Sequence, residues 1–135
     1  MKIKEGDVVS FEEAITVTSV DQFAALSGDN AALHMDDAVA RNRGFKGRVV
    51  HGALLIAFLS KLVGIHLGQK NELLVSMNVK FINPSYIGDI IKVSAIVDQV
   101  SESTSSIVLK AKVERVDPRH DLLSAKIIVN YSLKI

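Results

Sequence analysis

Residues 49–67, VVHGALLIAFLSKLVGIHL, form the most apolar helical pattern of the chain. Apolar side chains recur at the three- and four-residue spacing of one helix face, and other apolar side chains fill the opposite face. A helix that is apolar nearly all round is buried nearly all round. The pattern therefore predicts one long buried helix over Val49–Leu67, with Gly68 as its stop.

The residues before this helix predict one strand and two shorter helices. Alternation of apolar and polar residues predicts a strand over Val8–Val17. Thr18 or Ser19 can cap the helix that follows, and an acidic or amide side chain three residues further on would complete a capping box. Gly28 is expected to end that helix. A second short helix is predicted over Asp36–Asn42, starting at an Asp cap.

Four segments after the long helix have the composition of strands in one antiparallel series. They are Leu73–Asn83, Ile90–Val100, Ser105–Asp117 and Leu122–Leu133. In the first of them, apolar side chains alternate on one face from Leu73 to Phe81, and Pro84 ends the strand. One strand, then helices, then four strands is an α+β pattern, and a single buried helix needs a curved sheet to wrap it.

The composition limits the class of protein. With 135 residues, of which 48% are hydrophobic, the chain is expected to form a single domain over residues 1–135 with its own core. It contains no cysteine, which excludes disulfides, thiolate metal sites and a cysteine nucleophile. The formal net charge of +1 argues against nucleic-acid binding. The densest basic cluster, Arg41-Asn42-Arg43, has two open interpretations, of which a solvated loop is more common than a phosphate contact.

The sequence predicts a cytoplasmic protein that does not insert into membranes. The start of the chain, Met1–Asp7, lacks an apolar core of signal-peptide length. The longest uninterrupted apolar run, Ala53–Leu59, is far shorter than the ~20 residues that span a bilayer. The absence of cysteine also fits a reducing compartment.

A second short stretch carries the chemistry. The run Ser27-Gly28-Asp29-Asn30-Ala31-Ala32-Leu33-His34 places a carboxylate and an imidazole five residues apart. Seventeen residues beyond His34, the pair His51-Gly52 opens the long helix. A carboxylate, an imidazole and a glycine amide at a helix start are the groups needed to add water across a carbon–carbon double bond beside a carbonyl, or to remove it. Asp29, His34 and Gly52 are therefore candidate catalytic residues.

The order of elements resembles the hot-dog fold, in which an antiparallel sheet wraps a long central helix, and the resemblance covers nearly the whole chain. Within that fold, the motifs resemble those of the MaoC-like (R)-specific enoyl-CoA hydratases. The signature of that family is a helix ending in Ser-Gly-Asp-x-Asn-Pro-Leu-His, followed by a second helix, a Gly-rich loop and a helix opened by His-Gly. The corresponding stretches here are Phe23–His34, Phe45–Gly52 and Phe81–Pro84 with Gly88-Asp89.

The resemblance implies a division of roles in the hydration of a 2-enoyl thioester. His34 would orient and deprotonate a water that attacks C3, and Asp29 would share its protons and donate one to C2. The backbone N–H of Gly52 would stabilise negative charge on the thioester oxygen, helped by the helix dipole. The implied product is an (R)-3-hydroxyacyl thioester, and no metal or redox cofactor is expected.

Further residues are candidates for binding the substrate. His51 and Asn30 are candidate substrate contacts, although a structural hydrogen bond at the helix start is the more common use of a histidine placed like His51. His66 and His120 have no metal-ligand spacing, and no metal site is expected. The candidates for the acyl pocket are Leu33, Phe45, Phe58 and Met77.

Two alternatives to the hydratase stay open. The family's Asn-Pro is Ala31-Ala32 in this chain, which removes an amide and a restriction on φ. That departure supports a non-catalytic subunit that binds acyl thioesters. The other alternative is a hot-dog acyl-CoA thioesterase in which Asp29 activates water at the carbonyl carbon.

The resemblance also implies partners. Coenzyme A or acyl carrier protein would carry the acyl group as part of the substrate. A homodimer or a dimer of dimers is expected, because the open edge of a single sheet favours pairing with another chain.

Overall fold

The computed structural model describes residues 3–68 and 72–131 of the protein. The elements before the central helix are β1 (Val8–Ala14), α1 (Val17–Ser27), α2 (Ala32–Met35) and α3 (Asp37–Asn42). The central helix α4 (Gly52–Lys61) continues into one π-helical turn (Leu62–His66). The elements that follow are β2 (Leu73–Phe81), β3 (Ile90–Ser101), β4 (Ser106–Arg115) and β5 (His120–Asn130). The predicted order of one strand, helices and four strands is confirmed, with α2 as an additional short helix.

The five strands form one antiparallel sheet in the order β1-β3-β4-β5-β2. One row of paired residues crosses the whole sheet, from Phe11 through Val93, Val113 and Leu123 to Phe81. Residues paired across strands lie on the same face, so this row joins the two edges through three buried apolar side chains. The strand that follows α4 therefore lies at the edge opposite β1.

The apolar side of α4 packs against one face of this sheet. Leu55, Leu59 and Leu62 lie in one buried cluster with side chains from β3, β4 and β5. Each fully buried leucine contributes about 1.5–3 kcal/mol relative to an exposed one. The α+β architecture predicted from the apolar patterns, a sheet packed on a central helix, is confirmed.

The central helix is shorter than predicted. Val49 forms an antiparallel bridge with Tyr86, and the Val50 N–H donates to the Ser85 carbonyl at 2.9 Å. These long-range contacts keep both valines extended, so the helix begins at Gly52 instead of Val49. Within residues 3–68 and 72–131, no helix combines the length and the apolarity that a membrane-spanning helix requires.

The expected burial on all sides of α4 is wrong for the single chain. Ala53, Ala57 and Ser60 are exposed, and Ile65 in the π-helical turn is 69% exposed. A helix that packs on one sheet buries only the stripe that faces it. The opposite side of α4 is left open.

The first helix begins earlier than predicted. Its N-cap is Thr16, not Thr18 or Ser19, because the Thr16 hydroxyl accepts the Ser19 N–H at 3.0 Å. The Ser19 hydroxyl in turn accepts the Thr16 N–H at 3.0 Å, which completes a capping box. Val17 is consequently the first residue of α1 and not the last residue of a strand.

Two other local predictions are confirmed. Gly28 follows the last residue of α1 in the left-handed conformation, with φ 80°, and its N–H donates to the Ala24 carbonyl. The Asp36 carboxylate caps α3 by accepting the N–H groups of Ala38 and Val39.

The single apolar face predicted along β2 is wrong near its start. A register shift between Leu74 and Ser76 interrupts the alternation, and Leu74 and Val75 are 40% and 57% exposed. Edge strands have a partner on one side only, so these side chains lack a covering neighbour. The last residues of the fourth predicted strand, 132 and 133, lie outside the described residues.

We expect Thr16→Ala to lower the free energy of unfolding by ~1 kcal/mol, since it removes the N-cap of α1. Thr18→Ala is the matched control, because Thr18 is exposed in the first turn and its hydroxyl has no hydrogen bond within the described residues. That control should change stability by less than about 0.5 kcal/mol. Urea unfolding followed by circular dichroism measures both variants. A larger loss in Thr18→Ala would contradict the cap.

Candidate active site

His34 lies on α2 and bonds to the extended segment that precedes α4. Its Nδ1 lies 2.7 Å from the carbonyl oxygen of Val49. Because a carbonyl can only accept, Nδ1 carries the proton and donates it, which leaves the lone pair of the neutral ring on Nε2. The Val49 N–H donates to the Leu33 carbonyl at 3.1 Å, so a second bond joins the same two segments. The His34 side chain, 16% exposed, is held in one orientation.

Asp29 follows the glycine that ends α1, and its carboxylate turns towards α2. Its Oδ1 accepts the Ala31 N–H at 3.3 Å, which closes a local turn. Its Oδ2 lies 3.8 Å from Nε2 of His34. That separation is too long for a direct hydrogen bond and suits two groups bridged by a small molecule. The fold brings the two predicted residues together, with the Asp29 side chain 52% exposed.

The Ala31-Ala32 pair occupies the positions of the family's Asn-Pro. Ala31 has φ −55° and ψ 141°, the extended conformation typical of a residue that precedes proline. Ala32 is the first residue of α2, a position at which proline is favoured. The Ala31 carbonyl also accepts the His34 N–H at 2.9 Å. Backbone contacts therefore hold this turn in place of the proline ring.

His51 is buried beneath this pair of residues. Its Nε2 donates to the backbone carbonyl of Asp29 at 2.7 Å. This is a structural hydrogen bond, the more common use of a histidine at a helix start. Its ring stacks on the ring of His34 with the centroids 4.0 Å apart, and Phe23 of α1 packs on it at 4.9 Å. His51 is only 2% exposed, and it contacts Asp29 through the hydrogen bond and His34 through the stacked ring. Its role as a substrate contact stays a prediction.

The side chains of Asp29, His34 and His51 also bring three possible metal ligands close together. One ligand atom each of Asp29, His34 and His51 lies within 4.8 Å of the other two. The two imidazole planes are only 27° apart, however, and the lone pair of an imidazole nitrogen lies in the plane of its ring. Stacked rings therefore do not direct both nitrogens at one ion. The geometry favours a hydrogen-bonded polar cluster over a metal centre.

Arg48 ties together the helices that carry the site, and sequence reasoning missed it. Its Nε donates to the His34 carbonyl at 2.7 Å, and its Nη2 lies 2.5 Å from Oδ1 of Asp21 on α1. Its backbone N–H donates to Oδ1 of Asp37 on α3 at 2.8 Å. A planar guanidinium can bond in several directions at once. A single arginine in a loop has no periodic pattern that would have marked this role.

An apolar cavity of about 390 Å³ opens beside the His34 ring. This volume lies in the range of small-molecule sites. Its walls come from the segment before α4, the start of α4 and the end of β2. The residues that line it are His34, Val49, Val50, Gly52, Leu55, Phe81, Ile82, Asn83, Pro84 and Ser85.

Gly52 forms the part of the wall where the Phe81 ring covers the helix start. A Cβ atom on Gly52 would lie only 2.7 Å from Cε1 of Phe81, so no larger residue fits without moving the ring. Because the first N–H groups of an α-helix have no partner within the helix, a backbone donor is available at this point. Phe81 opens the motif Phe81–Pro84 that follows the central helix in the sequence. Its contact with Gly52 was not predicted.

The other predicted residues lie outside this cavity. Asn30 is exposed, and its N–H donates to the Gly28 carbonyl at 3.1 Å. All four acyl-pocket candidates are half-buried, and none belongs to the described residues that line the cavity. Their role in binding an acyl chain stays a prediction for Leu33, Phe45, Phe58 and Met77.

Solved structures share this fold. An (R)-hydratase from Aeromonas caviae, described as involved in PHA biosynthesis, aligns with a TM-score of 0.92 over 98% of this chain and 99% of its own, at 24% identity. The R-hydratase PhaJ1 from Pseudomonas aeruginosa aligns with a TM-score of 0.88 over 98% of this chain and 84% of its own, at 22% identity. The hot-dog fold predicted from the sequence is confirmed.

Curated relatives are similar over part of the chain. An (R)-specific enoyl-CoA hydratase from Rhodospirillum rubrum is 34% identical over 87 residues, which are 64% of this chain and 60% of that relative. A mitochondrial 3-hydroxyacyl-[acyl-carrier-protein] dehydratase from Arabidopsis thaliana is 33% identical over 87 residues, which are 64% of this chain and 51% of that relative. The chain thus spans between 51% and 60% of the length of these two relatives. The model of the family described as MaoC like domain matches residues 2–117, and the chain therefore belongs to the MaoC-like domain family.

Proposed function

We propose that this protein is a hydro-lyase that adds water to trans-2-enoyl thioesters with (R) specificity, or removes it from (R)-3-hydroxyacyl thioesters. The observation that carries the proposal is the facing pair Asp29 Oδ2 and His34 Nε2, 3.8 Å apart, in which His34 also lines an apolar cavity. The names of the bacterial hydratase and the plant dehydratase support the same class of reaction.

A water bonded to both side chains is the nucleophile in this mechanism. Nδ1 of His34 donates to Val49, so Nε2 is the basic nitrogen and takes a proton from the water. The Asp29 carboxylate accepts a hydrogen bond from the other O–H of the water, which fixes the direction of the oxygen lone pair. The hydroxyl forms its bond to C3 as the C2–C3 double bond opens.

The proton and charge balance closes through the same two residues. The proton taken by His34 is relayed across the newly bonded oxygen, which lies between the two side chains, to the Asp29 carboxylate, and Asp29 delivers it to C2. Both side chains end in their starting state, and water is the only co-reactant. As the bond to C3 forms, negative charge moves to the thioester oxygen. A backbone N–H of the first turn of α4, at Gly52, stabilises that oxygen, aided by the positive end of the helix dipole. Dehydration follows the same path in reverse.

The carrier of the acyl group, the absence of a cofactor and the compartment complete the proposed function. The acyl group is carried as a thioester of coenzyme A or of acyl carrier protein, and it enters the apolar cavity. No metal or redox cofactor takes part in the proposed mechanism. We assign the reaction to the cytoplasm. The intact Asp29–His34 pair favours turnover over a subunit that only binds acyl thioesters.

Removing either member of the pair should abolish most turnover. We expect Asp29→Asn and His34→Ala each to lower kcat by ~100- to 10,000-fold, because each removes a general acid–base group. The loss of enoyl absorbance with crotonyl-CoA and with a longer 2-enoyl-CoA measures the rate.

Asp98→Asn and His120→Ala are the matched controls for these two variants. Asp98 pairs with Lys110 on the sheet surface, and His120 is exposed at the start of β5, so both should keep the wild-type rate. Release of free thiol without formation of the 3-hydroxy product would identify the thioesterase instead. Equal rates in wild type and Asp29→Asn would contradict the mechanism.

Gly52→Ala should lower kcat/KM by about 100-fold, because its methyl group displaces Phe81 and misplaces the groups at the helix start. Adding Phe81→Ala removes the ring and should restore part of the lost activity. Enoyl-CoA hydration by the two single variants and the double variant measures this coupling. A double variant no more active than Gly52→Ala would show that the ring does not cause the loss.

We also propose that two copies pair through the edge strand β2. Leu73, Leu74 and Val75 are 50%, 40% and 57% exposed on that strand, an apolar edge that invites another strand. Such a homodimer would cover Phe81, which is 55% exposed in the single chain and borders the cavity.

Val75→Lys should weaken this dimer by about 100-fold or more, because pairing would bury an unpaired ammonium group. Val8→Lys is the matched control, since Val8 is 67% exposed on the opposite edge strand. Light scattering over a concentration series measures both dissociation constants. A wild-type protein that stays at its chain mass of 14.7 kDa would contradict the proposal.

A further inference from the structure

The apolar cavity beside His34 has polar groups in its wall that the proposed mechanism does not use. Among the described residues that line it, the polar side chains are those of His34, Asn83 and Ser85. His34 belongs to the catalytic pair. Asn83 and Ser85 come from the segment that follows β2, and the reaction assigns no role to either of them.

The hydroxyl group of Ser85 is buried without a hydrogen bond. Ser85 is only 2% exposed, and its Oγ has no hydrogen-bond partner within residues 3–68 and 72–131. A buried polar atom that has exchanged water for no other partner is destabilising, and most buried polar groups in folded proteins are paired. The fold alone therefore gives no reason for a hydroxyl at this position, whereas a molecule bound in the cavity would provide a partner for it.

The backbone of Ser85 is fixed, but its hydroxyl is free to turn. The Ser85 carbonyl accepts the Val50 N–H at 2.9 Å, and the next residue, Tyr86, forms the bridge to Val49. No bond within the described residues holds the hydroxyl, so rotation about Cα–Cβ can direct it at a ligand. A hydroxyl can both donate and accept, which suits an oxygen atom of that ligand.

Asn83 adds a hydrogen-bond acceptor to the same wall. Its Nδ2 donates to the Asp121 carbonyl at 2.7 Å, and because a carbonyl only accepts, this contact assigns the nitrogen and the oxygen of the amide. Its Oδ1 accepts no hydrogen bond from the described residues. A hydroxyl group on a ligand can accept from Ser85 and donate to Asn83, whereas a keto group can only accept.

Ser85 lies near the reacting end of the cavity. The Val49 carbonyl accepts Nδ1 of His34, and the next residue, Val50, is bonded to Ser85. Two consecutive residues of one segment thus hold the catalytic base and Ser85. In the proposed mechanism, the thioester oxygen and the oxygen at C3 already have their partners. An oxygen bound by Ser85 therefore belongs to the rest of the acyl chain, on a carbon close to the double bond.

We propose that Ser85 is a specificity-determining residue, and that it binds a hydroxyl group carried by the acyl chain next to the reacting carbons. The substrate class is a 2-enoyl thioester hydroxylated near its double bond, for example at C4. The inference rests on the proposed function and narrows it, since the cavity and the reaction are the same. A purely aliphatic chain leaves the Ser85 hydroxyl unpaired, and a site built to bond a substrate hydroxyl discriminates against the analogue that lacks it.

Two isosteric substrates test this specificity. 4-Hydroxy-2-butenoyl-CoA and 2-pentenoyl-CoA differ only in a terminal hydroxyl in place of a methyl group. We expect Ser85→Ala to lower the ratio of their kcat/KM values, hydroxylated over aliphatic, by about tenfold, the effect of one hydrogen bond to the substrate. Comparing the ratio between proteins removes the difference in intrinsic reactivity of the two substrates.

Ser94→Ala is the matched control for this experiment. Ser94 is also buried, with 8% exposure on β3, and it lies outside the cavity, so its variant should keep the wild-type ratio. An unchanged ratio in Ser85→Ala would overturn the proposal. An equal loss with both substrates would also overturn it, because the hydroxyl would then act on an atom common to both, such as the thioester oxygen.

A binding measurement separates this inference from the proposed function. 4-Hydroxybutanoyl-CoA and pentanoyl-CoA have no double bond to hydrate, and calorimetry measures their dissociation constants with the wild type and with Ser85→Ala. The preference for the hydroxylated compound should fall by about tenfold in the variant. Wild-type protein that hydrates neither enoyl thioester would contradict the proposed function, while the ratio of these dissociation constants would still decide the role of Ser85.

The stability of the ligand-free protein provides an independent test. Ser85→Ala removes a buried hydroxyl that has no partner, so its urea midpoint should equal or exceed that of the wild type. A lower midpoint would show that the hydroxyl is bonded within the folded chain, and it would overturn the assignment to a substrate.

Discussion

The hydrogen bond from Nδ1 of His34 to the Val49 carbonyl, 2.7 Å long, is the constraint on which the site depends. It selects the tautomer that leaves Nε2 basic and directed at Asp29. The bond is possible only because Val49 is extended. In a helix that began at Val49, its carbonyl would accept the N–H of Ala53, and His34 would have no acceptor. The extended conformation of Val49 therefore accounts both for the start of α4 at Gly52 and for the tautomer of His34.

The surroundings of this bond are rigid for identifiable reasons. His51 is packed between Phe23 and His34 and also holds the Asp29 carbonyl, so three segments meet at one buried ring. Arg48 adds bonds to the carbonyl of His34 and to α1 and α3. In a partly buried setting such polar networks are stronger than in water. They explain why Ala31-Ala32 keeps the turn without an Asn-Pro pair.

Local sequence signals predicted the elements well and their starts poorly. Gly28 ends α1 through its own backbone conformation, and Asp36 caps α3 through its own side chain. Both effects are local, so both positions were predicted correctly. The cap of α1 depended on a distant contact. The Ile15 N–H donates to the Asp89 carbonyl, and the Gly88 N–H donates to the Ile15 carbonyl, which ends the pairing of β1 and leaves Thr16 as the cap. Three hydroxyls lie within four residues there, and spacing alone does not choose among them.

The periodicity of apolar residues was sufficient to predict the α+β class and the central helix. The five-residue spacing was sufficient to predict that Asp29 and His34 lie close together, because both signals are local. The partners that give these residues their geometry required the folded chain. Val49 becomes an acceptor through its bridge to Tyr86, and Phe81 covers Gly52 from a strand that follows the helix. These contacts join residues about 30 or more positions apart, and their cause is the packing of the whole sheet against α4.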